Sequence, residues 1–498
     1  MSLGVVVLGD GVNELVAAHT LARAGHRVTV IARERFAETE SPESGWVPPS
    51  IVRDLDLERH GLKVQCADPW AVVALPDGGR LELGHDVART AEAIRRVSSR
   101  DAARWPEFCE RMNRLALLLQ SLYLAPPPDP LAQGLGALAQ LGRLGLEVRR
   151  LGRQGMEDLF RLLPMSVADL LDDEFESDAL KGALGAAGVV HLHQGPRAGG
   201  TAFNLLHHHV GSPIGVFRAP LSNSRAVLAR LPGIETRVAR VTEIIVRAGR
   251  AGGVVLADGE AIEATLIVSG LDPKRTLLEL VDVGCLDPEL VRAVRNIRDR
   301  GVVARLTLTL DRDPGFTTLV VAPSLDYLER AHDDAKYGRV SREPYIEARY
   351  IGPSDGGPHR VSVHVQYVPH TLGGAQWDTA QRDGLARTVI AGLAGVASGF
   401  AGSVIEQHLV TPGDLENLHG LPEGQEYHAE LALDQVLWMR PVPQLAQYRT
   451  PIGGLYLCGP AMHPGGGVAG AAGANAARVV LQDMRRGVIR DDRQRISK

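Results

Sequence analysis

Two glycine-bearing turns, one near each end, carry most of the chemistry legible in this chain. Near the N-terminus, GVVVLGDGVNELVAAHTLARAGHRVTVIA (4–32) reads as strand, tight turn, helix and second strand. Gly9 and Gly11 allow the turn that aims helix N-terminal N–H groups at a diphosphate, as dinucleotide-binding units do. Two positions depart from that pattern. The third glycine is replaced by Glu14, and the acidic residue expected after the second strand is replaced by Ala32. Near the other end, Gly453-Gly454-Leu455-Tyr456-Leu457-Cys458-Gly459 runs into His463-Pro464-Gly465-Gly466-Gly467-Val468-Ala469-Gly470. That is the layout of a buried strand, a glycine turn and a helix start, where backbone can approach a cofactor closely.

A few further residues invite chemical readings. His191-x-His193 and His207-His208-His209 are of types that ligate zinc, copper or iron, and alternate histidines on a strand share a face. No carboxylate sits at ligand spacing, so a structural role is expected and no metal. Arg440, in WMRPVP, is a candidate to orient a substrate or an interdomain carboxylate, or to form a structural ion pair at a domain seam. His370, in QYVPHTLGG, either lines a substrate cavity or belongs to a surface loop. No phosphate-binding P-loop is present, and no Ser-His-Asp arrangement stands out.

The elements that must position these residues follow from periodicity. Residues 4–8 are a continuous apolar run suited to a parallel strand buried on both faces, and 28–31 read as the second parallel strand. Between them, 13–24 has helical apolar spacing and ends at Gly25, giving a right-handed crossover. From 86 to 184 the reading is mostly helical. Its Leu-rich part, broken at Pro126-Pro127-Pro128, is either a cap over the core or a surface that dips into a bilayer. Residues 234–270 return to strand character, with a hairpin turning at Asp258-Gly259. The runs 302–310, 318–322, 345–351 and 360–368 alternate apolar and polar residues, predicting antiparallel strands with one covered face. A helix over 376–398 follows. Strand 455–458, expected beside 4–8, and a helix from 468 to 486 rejoin the nucleotide-binding layer.

The fold class predicted is therefore α/β, with a discontinuous Rossmann-like domain built from 1–80, 220–285 and 446–498. An α+β substrate domain, 86–219 and 286–445, is inserted with a helical cap and an antiparallel sheet. A large apolar cavity is expected between the two, reached past the helices of 112–165.

Composition sets the outer limits. A chain of 498 residues is long enough for more than one domain. A net charge of −5 with 4% aromatics argues against a basic, base-stacking nucleic-acid surface. The four cysteines are far apart and lack metal or disulfide spacing, which points to the reducing cytoplasm. Arginine far outnumbers lysine, as in chains from GC-rich bacterial genomes. No apolar run reaches the ~18 residues of a membrane span, so any membrane contact would be peripheral.

The segment HLVTPGDLENLHGLPEGQEYHAELALDQVLWMRPVPQLAQYRTPIGGLYLCGPAMHPGGGVAGAAGANAA resembles the phytoene desaturase-like family of flavin oxidoreductases. Within that family the likeness is to the branch holding the pyridine nucleotide-disulfide oxidoreductase domain-containing protein 2 group. Weaker likeness runs through NLLHHHVGSPIG (204–215), VSGLDPKRTLLEL (268–280) and RDLDLERHGLKV (53–64), so it covers most of the chain. The resemblance implies a glutathione reductase/amine oxidase type of FAD-binding domain. It implies that Gly9, Gly11 and Gly459 approach the FAD pyrophosphate and that Val241 meets the adenine side. It implies that Val468, Ala469 and Gly470 lie by the isoalloxazine and ribityl chain. His463 and Pro464 would then border the substrate face, leaving His463, Arg440 and His370 as catalytic candidates.

The same resemblance shows what is missing. The family's glycine has become Glu14, and its acid has become Ala32. The glycine pair soon afterwards is absent because ARERFAETESPESGW holds only Gly45, and the compressed stretch between Gly215 and Ile234 lacks the family's paired glycines. Losing three contacts and adding a carboxylate should weaken FAD by ~5 kcal/mol, some thousands-fold. The activity implied is hydride transfer from an apolar, hydrocarbon-like substrate to flavin. The alternative is a flavin-free homologue, acting as a binding or assembly subunit or as a redox-neutral enzyme. It would work as a homo-oligomer or alongside an intact homologue.

Overall fold

The computed structural model describes residues 4–33, 43–75, 77–130, 134–353 and 357–489. Residues 34–42, part of the stretch after Ala32 in which the glycine pair is expected, lie outside them.

One layer is a five-stranded, wholly parallel sheet. Its spatial order is Leu455–Leu457, Leu266–Ser269, Gly4–Leu8, Arg27–Ala32 and Glu235–Val238. The central strands have apolar residues on both faces because helices cover one side and a small meander the other. The strand Leu455–Leu457 enters this sheet beside Leu266–Ser269, one strand away from Gly4–Leu8 and not next to it as expected. Helices Val12–Arg23 and Ala471–Arg485 pack on one face. They come close because residue 473 is glycine: a Cβ there would overlap the Asn13 carbonyl. On the other face lies the antiparallel meander Val241–Arg247, Arg250–Leu256 and Ala261–Glu263, turning at Asp258-Gly259 with Gly259 at φ +87°.

The second layer is a seven-stranded sheet in the order Val404–Val410, Val303–Leu310, His359–Gln366, Tyr345–Tyr350, Thr318–Val321, Ala71–Ala74 and Arg80–Leu83. Its pairs are antiparallel except Thr318–Val321 with Ala71–Ala74, which is parallel. The N-terminal segment thus supplies two strands to this sheet before residue 85. The first nucleotide-side piece accordingly ends ahead of Ala71 and not at 80.

The alternation read in the sequence has a clear outcome. Leu306, Leu308, Ile346, Ala348, Val361, Val363 and Val365 point to one face and pack on the helix Thr379–Ala394. The intervening residues face the parallel sheet across a cavity. Helices Ser99–Tyr123, Asp178–Val189 and Thr201–His209 close the side, held by a core of Trp105, Phe108, Phe175 and Phe217. The helix Leu135–Arg150 lies outermost and leaves Leu138 and Leu146 exposed. Among the described residues no helix is long and apolar enough to cross a membrane.

Candidate functional site

A cavity of about 700 Å³ runs from the N-terminal glycine turn to the inner face of the seven-stranded sheet. It lies outside the carboxyl ends of the parallel strands, where open α/β sheets bind ligands. Gly9, Gly11, Val241, Val468 and Ala469 all line it. Gly459 and Gly470 stand behind that surface. A Cβ on Gly459 would overlap the Gly270 carbonyl, and one on Gly470 would lie 2.9 Å from Val16.

The C-terminal glycine turn is fixed from two sides. Trp46 N–H donates to the Gly467 carbonyl at 3.0 Å, and Ala469 N–H donates to the Trp46 carbonyl at 2.8 Å. On the other side, His207 Nε2–H donates to the Gly466 carbonyl at 2.7 Å. Its Nδ1 therefore accepts from the Tyr123 hydroxyl, also at 2.7 Å. Burial pushes the His207 pKa down to about 4, so this neutral tautomer holds at neutral pH. His208 lines the cavity, and its buried Nε2 has no hydrogen-bond partner. The histidines at 207–209 lie on a helix and 191–193 in a turn, so neither group is the same-face strand array of a metal site.

The sheet wall is charged. Strand register sets Arg305, His364 and Glu347 in one row, with Thr307, Ser362 and Arg349 in the next. Glu347 accepts from Arg218 at 2.7 Å, from Arg349 at 2.7 Å and from the Tyr345 hydroxyl at 3.0 Å. Burial opposes its charge, but the two guanidinium groups outweigh burial and hold the carboxyl well below its usual range. Glu426, paired with Arg305 at 2.8 Å, is held at about 2 against burial by the same kind of contact. His191 and His364, beside these pairs, are pushed down by burial to about 3 and about 4 and stay neutral. The cavity is therefore not uniformly apolar, in contrast to the expectation, but carries one charged wall. Nor does any described residue of 112–165 line it, so the leucine-rich helices are not its entrance.

The three catalytic candidates lie elsewhere. Arg440 is fully buried and donates to the carbonyls of Tyr427, Ala429, Glu430, Gln435, Pro460 and Met462. It ties the 427–440 loop to the 460–462 turn through carbonyls alone, where a carboxylate partner was expected. His463 bonds the Leu122 carbonyl at 3.1 Å behind the glycine turn. His370 pairs with Glu416 at 2.7 Å, away from the cavity. The residues that do line the cavity wall, Arg218, Arg305, Glu347, Arg349 and His364, were missed in the sequence. Their signal is the i, i+2 spacing of polar residues in RLT, EAR and SVH, the face read as turned to solvent.

At the opposite end, Glu14 is buried and sits across the glycine cradle. A Cβ on Gly9 would lie 3.2 Å from its Cγ, one on Gly11 2.5 Å from its Oε2, and one on Gly270 would overlap it. Its carboxyl thus lies between Gly9, Gly11 and Gly270, where the helix N-terminus favours one negative charge.

Comparisons with known proteins place this geometry. A family model described as FAD dependent oxidoreductase matches residues 4–193. Pyridine nucleotide-disulfide oxidoreductase domain-containing protein 2 of Mus musculus is 33% identical, covering 96% of this chain and 93% of its own length. A limonene dehydrogenase subunit of Castellaniella defragrans is 26% identical over 96% of this chain and 94% of its own. Among solved structures, cyclohexylamine oxidase from Brevibacterium oxydans has the same fold, with a TM-score of 0.58 and 13% identity over 98% of this chain and 100% of its own. The chain belongs to the phytoene desaturase-like family of FAD-dependent oxidoreductases, and FAD is the cofactor of that family.

The residues present fit FAD unevenly. The glycine turn at 466–469 opens onto the cavity as an isoalloxazine requires. The Glu14 side chain stands between Gly9, Gly11 and Gly270, where the diphosphate would approach the helix N-terminus.

Proposed function

We propose that this protein is a dehydrogenase of the FAD-dependent class, acting on a largely hydrocarbon substrate that carries a polar end. The observation that carries the reading is the continuous cavity joining the glycine turn at 466–469 to the charged wall of the seven-stranded sheet. FAD, when bound, supplies a hydride acceptor. The chain's own part is to bind, orient and exclude water. Phe217, Tyr427 and Val468 offer apolar surface near the turn, and Arg305 and Arg349 offer donors across from it. The name of the limonene dehydrogenase relative supports a hydrocarbon skeleton; the charged wall supports a polar group upon it. Neutral His364 and His208 supply hydrogen-bonding groups there without adding charge.

Anaerobic mixing with candidate substrates tests this. Bleaching of the flavin band by a polar-ended hydrocarbon, with KM raised about tenfold in Arg349→Ala, is expected. Equal bleaching by an unsubstituted hydrocarbon, unchanged in that variant, would remove the polar anchor.

Glu14 favours a second reading, a flavin-free binding or assembly subunit. Its distinguishing outcome is a protein that takes up no flavin even at saturating FAD.

A further inference from the structure

The adenosine end of the cavity is built from arginine. Arg33 and Arg240 follow the carboxyl ends of the neighbouring parallel strands Arg27–Ala32 and Glu235–Val238, which are in register at Ala32 and Val238. Ala239 N–H donates to the Ala32 carbonyl at 2.9 Å, so the two strands stay together up to the point where both arginines leave the sheet. Arg275 comes from the turn after Leu266–Ser269 on the same edge. All three line the cavity.

Two of them, Arg33 and Arg275, converge against Gly420, and Arg240 acts on Arg275 through its charge. A Cβ on that residue, at φ +68°, would overlap guanidinium nitrogens of both Arg33 and Arg275. Arg33 Nη2 donates to the Asn417 carbonyl at 3.0 Å, and Arg275 Nη1 reaches the Gly420 carbonyl at 3.5 Å. Both are neutral acceptors. The buried Nε of Arg275 has no hydrogen-bond partner. Glu279 and Asp272 are the acidic groups that act on Arg275, opposed by Arg33 and Arg240. Among the described residues lining this end, Arg33, Arg225, Arg240 and Arg275 face Asp10 and Glu14, and Asp10 is already paired with Arg225 at 2.9 Å.

This edge is where an acidic residue would hold ribose hydroxyls, and in this chain that position is Ala32. Replacing the acid with arginines inverts the preference: hydroxyls lose their acceptor, and a dianion gains several donors in fork geometry. We propose that Arg33, Arg240 and Arg275 form a binding site for a phosphate monoester at the adenosine end of the cavity. The phosphate comes either from a nucleotide phosphorylated on its ribose or from free phosphate. The site stands on the cavity's geometry, and a nucleotide held there would compete with the adenosine half of FAD.

Isothermal titration of the purified full-length protein with 2′,5′-ADP, 5′-AMP and inorganic phosphate tests it, with bound flavin recorded from the spectrum. Binding of 2′,5′-ADP at least tenfold tighter than 5′-AMP, lost in Arg33→Ala/Arg240→Ala, establishes the site with a ribose-phosphorylated nucleotide as its ligand. Inorganic phosphate binding as tightly as 2′,5′-ADP, and lost in the same variant, establishes it with a free anion. Arg33→Gln, a change at an exposed position, should give an intermediate loss with an unchanged melting temperature. No preference for 2′,5′-ADP together with no phosphate binding overturns the proposal, as does affinity unaltered in the double variant.

Discussion

Glu347 is a buried carboxylate whose loss the structure would feel strongly. It neutralises Arg218, which is buried too. Glu347→Gln would leave Arg218 without its countercharge, and breaking a buried pair from one side costs about 3–5 kcal/mol. Denaturant unfolding should show that loss, and a midpoint within experimental error of the parent would refute the pairing. None of this was visible from residue types alone. Glu14 and Ala32 stood out because a short local pattern specifies what belongs there. Glu347, Arg218 and Glu426 come from distant parts of the chain, and only the tertiary fold brings the strand carrying Glu347 against the loops carrying the other two. Arg440 fitted a motif for the opposite reason: several carbonyls crowd one buried point, and arginine is the side chain that spreads enough N–H groups around a plane to meet them.

At the scale of elements, the parallel sheet was legible and the cavity wall was not. An apolar run such as 4–8 announces a strand buried on both faces, and the structure pairs it directly with Arg27–Ala32. Alternation in 302–310 and 345–351 pointed to the right element type. It did not tell whether the polar face meets water or a lined cavity, since both demand polar side chains. The short strands Ala71–Ala74 and Arg80–Leu83 carry too few residues for their sheet membership to be read locally. The seam between Val12–Arg23 and Ala471–Arg485 offers a clean test. Gly473→Ala places a methyl group into the Asn13 carbonyl, and overpacking of this kind costs about 1–3 kcal/mol. The melting temperature should fall, and FAD affinity with it, because Asn13 and Gly11 open the same helix. A variant as stable as the parent would show that the helices are free to move apart.

Over the whole molecule, buried neutral histidines set the acid limit of stability. Burial pushes His207, His209, His364, His428 and His463 down to about 4 and His191 to about 3. In the unfolded chain each protonates near 6.5. As pH falls from 6.5 towards 4 the unfolded state binds more protons than the folded one, so stability drops. Well inside that window each such group contributes up to about 1.4 kcal/mol per pH unit. Below it, protonation of the depressed Glu347 and Glu426 adds a further loss. Melting temperatures should therefore decline steeply between pH 6.5 and 5. A flat profile there would mean that these rings are hydrated and not buried.

The oxidoreductase reading is tested most directly by FAD affinity, compared between the unmodified protein and Glu14→Gly by equilibrium dialysis. The cavity and the glycine turn at 466–469 predict that both bind FAD at one site. Removing the carboxyl from the cradle between Gly9, Gly11 and Gly270 predicts that the variant binds tenfold or more tighter, an effect of about 1.5–3 kcal/mol. Flavin retained by neither protein at saturating FAD would contradict the oxidoreductase reading. Equal, tight binding by both would contradict the obstruction of the diphosphate seat by Glu14.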